Sequence, residues 1–306
     1  MTQSLVANLL PFSICAIAMS IAPALHGQSQ EMPRFRSGID LITVTASVTD
    51  GDGRFVADLV KEDFSVYEDG KRQALTQFTR ERVPVSLGIL LDASGSMNAE
   101  KLKAAQSAIS HLVFTLLEKD DELFFVEFGF NARLTQEWTT DRKLIRHALE
   151  DVSHPSGDTA LYDAIALALP TAQEGRHTKK ALLVISDGND TRSVVTLTEL
   201  RRAILESDVL VYALAIDNPA GARQRSERVD VAALRQITDD TGGRTEAVHR
   251  IGGLDAAIAR IADELRLQYS LGYSTASPGD GRWHELRVEV RDRRMKVRAR
   301  RGFIAS

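Results

Sequence analysis

The chain has 306 residues, of which 43% are hydrophobic and 26% charged, as in ordinary globular proteins and unlike disordered or fibrous ones. This length suits one large domain together with a smaller one. The formal net charge of -4 provides no general attraction for phosphate backbones or anionic lipid, so nucleic-acid binding is not expected.

The chain begins with an uncharged apolar segment, residues 5–25, which is followed by small residues up to Gly27. This pattern resembles a secretory signal peptide, and we predict that residues 1–27 are removed on export. No Lys or Arg precedes the segment, so an uncleaved N-terminal anchor stays an alternative. Polar residues nevertheless interrupt the segment and leave its apolar runs shorter than the roughly 20 residues that span a bilayer. The mature chain is therefore predicted to have no membrane span.

Residues 38–82 alternate between apolar and polar positions, as half-buried strands do. In the stretch around residue 45, one face carries Ile42, Val44, Ala46 and Val48. Asp-Gly pairs supply turn signals between the alternating stretches. We predict a small antiparallel β unit that is too short to enclose a core by itself.

From residue 85 the pattern changes to near-continuous apolar runs separated by segments with helical periodicity, which indicates a parallel sheet covered on both faces. Amphipathic helices are predicted between the strands, the first over residues 99–117 and the last over residues 254–267. Residues 83–268 are therefore predicted to form a doubly wound, mostly parallel α/β domain. Its strands are predicted over residues 85–91, 122–128, 181–186, 209–216 and 244–248.

Strand-like alternation returns in residues 269–304, which include a turn-rich stretch over residues 277–281. Neither flank of the α/β domain offers enough strands for independent stability. We therefore predict that residues 38–82 and 269–304 pair into one discontinuous antiparallel β-sandwich, with the α/β domain inserted into it.

The first predicted strand of the α/β domain ends in the sequence Asp92-Ala93-Ser94-Gly95-Ser96. Ligands bind at the carboxyl ends of strands in open α/β sheets, where these side chains would lie. A carboxylate and two hydroxyls offer oxygen ligands only, which suits Mg²⁺, Mn²⁺ or Ca²⁺ better than zinc. A helix-capping loop is the alternative interpretation of the triplet taken alone, because Asp and Ser are also favoured before helices.

These residues resemble the metal-ion-dependent adhesion site of the von Willebrand factor A domain family. The resemblance extends to Gly157-Asp158-Thr159 at the start of a helix and to Ser186-Asp187-Gly188 after a later strand. It implies that the metal ligands are Asp92, Ser94, Ser96, Thr159 and Asp187. It also implies one open coordination position, which an acidic residue of a protein partner fills. Asp158 departs from many relatives, which have a small neutral residue there.

The flanks resemble a bacterial group of exported von Willebrand A-related proteins through residues 63–71 and 269–273. This group carries no well-defined activity. The resemblance implies a periplasmic, cell-envelope or secreted location.

Several acidic and basic residues have structural explanations. Asp163 suits the first turn of a helix, where it favours the helix dipole, and Asp190 suits a turn. His284-Glu285 resembles the start of a zinc-protease motif, but Val288 stands where the second histidine is required. The arginines near the C-terminus alternate with apolar residues, as expected for the solvated face of a strand.

The function that these observations favour is an exported, metal-dependent binding module for adhesion or envelope assembly. Catalytic motifs are missing, and cleavage of the signal peptide would remove Cys15, the only cysteine, so no enzyme activity is expected. A metal-dependent hydrolase that uses Asp92 is one alternative. A structural envelope protein with an empty metal site is another.

Overall fold

The computed structural model describes residues 41–152, 155–187, 190–216, 230–275 and 279–305. The predicted signal peptide, residues 1–27, lies outside the described residues. Within the described ranges, no helix combines the length and the apolar character needed to cross a membrane. The described residues belong to one compact unit.

Strands and helices are numbered separately in chain order. The strands are β1 (Leu41–Thr49), β2 (Phe64–Glu68), β3 (Lys71–Gln73), β4 (Leu75–Thr79), β5 (Val85–Asp92), β6 (Glu122–Phe128), β7 (Ala132–Thr139), β8 (Lys179–Ser186), β9 (Leu210–Ile216), β10 (Thr245–Val248), β11 (Tyr269–Ser274), β12 (Trp283–Val290), β13 (Lys296–Ala299) and β14 (Gly302–Ile304). The α-helices are α1 (Ala99–His111), α2 (Arg142–Glu150), α3 (Leu161–Gln173), α4 (Leu197–Glu206), α5 (Val231–Thr241) and α6 (Leu254–Leu267).

The central sheet has the strand order β10-β9-β8-β5-β6-β7. Its strands are parallel except for β7, which pairs antiparallel with β6 at the edge. The predicted mostly parallel, doubly wound fold is confirmed. The strand β7 is absent from the sequence prediction, because this edge strand is only half-buried and lacks the continuous apolar run of its neighbours.

Of the helices in the described ranges, three pack on each face of the central sheet. The helices α1, α2 and α6 pack on one face, around a core that includes Ile89 and Tyr212. The helices α3, α4 and α5 pack on the other face, around a core that includes Val126 and Val184. The first helix is predicted over residues 99–117. In the structure α1 ends at His111, and one π-helical turn over Leu112–Leu116 follows it directly.

Two antiparallel sheets accompany the central sheet, with the orders β13-β1-β11-β4 and β14-β12-β2-β3. Each contains strands from both ends of the chain, since β1 pairs with β11 and β13, and β2 pairs with β12. Side chains of both sheets share one apolar core, which includes Val44, Phe64, Tyr269 and Phe303. The division into a sandwich of residues 38–82 plus 269–304 and an inserted α/β domain stays a prediction.

A buried polar network joins α6 to strands of two sheets. Glu264 on α6 is fully buried and accepts hydrogen bonds from the hydroxyls of Ser47 on β1 (2.8 Å) and Tyr212 on β9 (3.2 Å). Its carboxylate also forms an ion pair with Arg298 on β13. The network thereby ties the last helix of the central sheet to the antiparallel strands.

Candidate metal centre

The candidate site lies where the strand order of the central sheet reverses. The chain passes from β5 to β6 on one side of β5, and later returns as β8 on the other side. Asp92 ends β5, and Asp187 follows directly after the neighbouring parallel strand β8. Such a reversal opens a crevice at the carboxyl ends of the strands, and both carboxylates lie at this edge.

Four of the five sequence-predicted ligands form one connected group. The Ser94 N–H donates to Asp92 Oδ1 at 2.8 Å, and the hydroxyl oxygens of Ser94 and Ser96 are 3.1 Å apart. The Ser96 hydroxyl then donates to Asp187 Oδ1 at 2.7 Å. The structure therefore places oxygen atoms of Asp92, Ser94, Ser96 and Asp187 within hydrogen-bond reach along one path.

The fifth predicted ligand, Thr159, reaches this group through its loop. The Gly95 N–H donates to the Gly157 carbonyl at 3.0 Å, which holds the loop before α3 against the loop after β5. A Cβ on Gly95 would lie 3.2 Å from that carbonyl oxygen, so a larger residue would crowd the contact. Thr159 is buried, and its carbonyl accepts hydrogen bonds from the N–H groups of Thr191 and Arg192. In the described part of the chain, its link to the other predicted ligands runs through the backbone.

The two carboxylates of the site are buried, whereas Ser96 above them is exposed. Asp92 and Asp187 expose 0% and 2% of their surface. Burial raises the pKa of Asp92 to about 6, although hydrogen bonds from Ser186 and Ser94 oppose this shift. Bringing two carboxylates into a buried site is unfavourable without a neighbouring positive charge.

Lys101, on the first turn of α1, supplies one positive charge at the site. Its ammonium group forms an ion pair with Asp187 Oδ2 and donates to the Ser96 carbonyl at 3.1 Å. Lys101 is absent from the sequence-predicted site residues. A usable signal existed, because a lysine is unfavourable at the positive end of a helix dipole unless an anion lies nearby.

Two acidic residues tie the start of α3 to the loop after β8. The Asp163 carboxylate accepts hydrogen bonds from the N–H groups of Val194 and Val195, and Asp190 Oδ1 accepts one from the Tyr162 N–H. These contacts add to the helix-dipole and turn roles that the sequence predicts. They keep the loop carrying Thr159 close to the end of β8.

The donor set fits a hard divalent cation. Carboxylate and hydroxyl oxygens from Asp92, Ser94, Ser96 and Asp187 converge, and the ion pair with Lys101 involves only one of the two Asp187 oxygens. One ammonium group also leaves two buried carboxylates with excess negative charge. Oxygen ligation of this kind suits Mg²⁺, Mn²⁺ or Ca²⁺.

Comparisons with known proteins identify the domain. Residues 87–189 match the family model for the von Willebrand factor type A domain. The uncharacterized protein sll0103 of Synechocystis is 30% identical over 112 residues, which make up 36% of this chain and 26% of that protein. The chain thus spans about a quarter of the length of this relative.

Two solved structures share the fold. The hypothetical protein BatB of Bacteroides thetaiotaomicron superposes with a TM-score of 0.50 at 24% identity, covering 59% of this chain and 98% of that one. A von Willebrand factor type A protein of Catenulispora acidiphila superposes with a TM-score of 0.51 at 16% identity, covering 78% of this chain and 71% of that one.

The fold and the site define a doubly wound α/β domain with acidic and hydroxyl side chains gathered at its switch point. This chain contains a von Willebrand factor type A domain. The resemblance to the von Willebrand factor A domain family is confirmed, and the metal site of that family stays a prediction for this chain.

Proposed function

We propose that this chain is an exported, metal-dependent protein-binding module. It holds a divalent cation, preferentially Mg²⁺, through Asp92, Ser94, Ser96, Thr159 and Asp187. The cation captures an acidic residue of a protein partner in adhesion or envelope assembly. The observation that carries this proposal is the convergence of oxygen atoms from two buried aspartates, the buried Ser94 and the exposed Ser96.

The surface beside the site supports a protein partner. Phe130 is 48% exposed and lies near the Gly157 backbone, and the guanidinium of exposed Arg192 stacks on its ring at 3.4 Å from the centroid. Val194, in the same loop as Arg192, is 89% exposed. An exposed aromatic ring with a neighbouring cation suits a protein interface, and the arginine favours an acidic partner residue. Von Willebrand factor type A domains typically serve as protein-interaction modules.

The cellular location follows from the apolar N-terminal segment. In this proposal residues 1–27 direct export and are removed, and the remaining chain acts in the periplasm, the cell envelope or the medium. Periplasmic and extracellular fluids contain Mg²⁺ and Ca²⁺, so a divalent cation is available to the site.

Partner capture tests the proposal. Immobilised protein is mixed with envelope extract in Mg²⁺ and, in parallel, in chelator, and the retained proteins are identified. We expect one or more proteins to be retained in Mg²⁺ and lost both in chelator and with the Asp92→Asn variant. Retention that chelator and this variant leave unchanged would refute a metal-dependent contact.

Lys101→Met is expected to raise the affinity for Mg²⁺ by about 10-fold, because the ammonium group competes with a bound cation for Asp187. Calorimetric titration of the metal-free protein with Mg²⁺ measures the change. Lys103→Met serves as the control, since Lys103 is exposed on the same helix. The Mg²⁺ affinity of this control variant should match that of the wild type. A weaker affinity in the Lys101 variant would mean that the lysine supports the metal-bound site.

A further inference from the structure

A second cluster of metal-ligating side chains lies in the antiparallel sheets. It joins Glu68 at the end of β2, Asp69 in the turn to β3, and His284 on the neighbouring strand β12. One potential ligand atom from each residue lies within 4.8 Å of the other two. His284 is also the histidine of the incomplete zinc-protease motif. Its neighbours in this cluster are the carboxylates of Glu68 and Asp69.

The histidine is held by a carboxylate on each side of its ring. His284 Nδ1 lies 2.8 Å from Asp69 Oδ2 and 3.8 Å from Glu68 Oε1, and Nε2 lies 3.1 Å from Asp280 Oδ1. A metal-bound histidine usually has such a carboxylate on its second ring nitrogen, which orients the ring and makes the first nitrogen a better ligand.

The backbone fixes this arrangement. Asp69 has a positive φ of 49°, as the first residue of a tight Asp-Gly turn often does. Its Oδ1 accepts a hydrogen bond from the Glu285 N–H at 2.9 Å, so only Oδ2 faces the imidazole. The His284 ring also stacks on Phe303 at 5.3 Å, which limits its rotation. The ligand atoms are therefore oriented before any ion binds.

The Glu68 carboxylate of the cluster is buried. Glu68 is 4% exposed, and its Oε1 accepts a hydrogen bond from the Thr275 hydroxyl at 2.8 Å. The Tyr273 hydroxyl also lies beside this carboxylate, and burial together with this contact raises the pKa of Tyr273. Hydroxyl groups therefore stabilise the buried carboxylate, and a cation beside it would also offset its charge.

The balance of charge also favours a cation. Three carboxylates, from Glu68, Asp69 and Asp280, surround one imidazole ring. A protonated His284 offsets one of these charges, and Lys71 and Arg282 act on Asp69 and Asp280. A divalent cation beside a neutral ring would offset two charges and would lie next to the buried Glu68 carboxylate.

We propose that Glu68, Asp69 and His284 form a second divalent-metal site, with Asp280 orienting the histidine. One imidazole nitrogen with two carboxylates suits Zn²⁺ or a similar transition-metal ion, in contrast to the oxygen-only site at Asp92. The bound ion would fasten the β2–β3 turn to β12, which comes from the opposite end of the chain. This proposal does not depend on the proposed function of the first site.

The test uses the full chain, freed of metal, in the Asp92→Asn background, so that the first site does not contribute. We expect calorimetry to show one Zn²⁺ bound per chain, and Co²⁺ to produce a visible absorption band. Asp280→Asn should weaken Zn²⁺ binding by about 10-fold, and His284→Gln should weaken it further. The exposed Asp255→Asn is the charge-matched control and should bind as its parent does.

Nitrogen NMR of His284, in protein without substitutions at this cluster, gives a second readout. We expect zinc to shift the His284 Nδ1 resonance and to leave Nε2 protonated toward Asp280. Two outcomes would overturn the proposal. One is a ring that stays protonated on both nitrogens in saturating zinc, and the other is unchanged zinc affinity in folded His284→Gln protein.

Discussion

Replacing Asp92 by Asn is expected to weaken divalent-cation binding by about 100-fold or more, while the chain stays folded. Asp92 is fully buried at the end of β5, and its two oxygens accept hydrogen bonds from the Ser94 N–H and the Ser186 hydroxyl. Asparagine has the same shape and keeps one acceptor, so the loop can retain its path. The substitution removes one of the two buried negative charges that attract the cation.

Calorimetric titration with Mg²⁺ and Mn²⁺ measures this loss, and thermal unfolding with and without metal gives a second readout. Mg²⁺ should raise the unfolding temperature of the wild type and leave that of Asp92→Asn unchanged. Asp263→Asn, an exposed substitution on α6, removes the same charge and should bind metal as the wild type does. Equal affinity of Asp92→Asn and wild type would remove Asp92 from the proposed ligand set.

Glu264→Ala is expected to lower the free energy of unfolding by about 3 kcal/mol. The substitution leaves the hydroxyls of Ser47 and Tyr212 without their acceptor and removes the ion-pair partner of Arg298. These groups lie where α6 meets β1 and β13, so the loss falls on the contact between the central sheet and the antiparallel strands.

Urea unfolding at neutral pH measures this effect. Glu264→Gln keeps an acceptor and should cost less than Glu264→Ala, which separates the hydrogen bonds from the charge. Asp263→Ala, one residue earlier on the same helix, is 56% exposed at its side chain and should change the free energy of unfolding by about 0.5 kcal/mol or less. A fully tolerated Glu264→Ala would mean that apolar packing alone holds these elements together.

The sequence predicted the central sheet well because burial leaves a strong pattern along a strand. The apolar runs around residues 85–91 and 122–128 correspond to β5 and β6 with at most one residue of difference. The edge strand β7 went unpredicted, since its partial exposure leaves mixed apolar and polar positions. The strands β2 and β12 pair although they lie more than two hundred residues apart. Pairing of the two flanks of the α/β domain was predicted from the need to bury their apolar faces, not from any motif.

The same distinction between local patterns and distant contacts applies to the candidate site. The spacing of Asp92, Ser94 and Ser96 on one tight loop predicted that their oxygen atoms lie together, because local sequence determines how short side chains converge. The ion pair of Lys101 with Asp187 joins residues 86 positions apart. The position of Lys101 at the start of α1 indicates that an anion lies nearby, but the local sequence does not identify Asp187 as that anion.

The sequence by itself determined the type of sheet, the loop that carries the carboxylate and hydroxyl side chains of the candidate site, and the family that both resemble. Tertiary structure decided which charges meet: Lys101 with Asp187, Glu264 with Arg298, and His284 with Asp69 and Asp280. Periodicity records whether a residue faces the core or the solvent. The pairing of charges depends on distances set by the packing of distant elements, and these distances emerge only when the whole chain is folded.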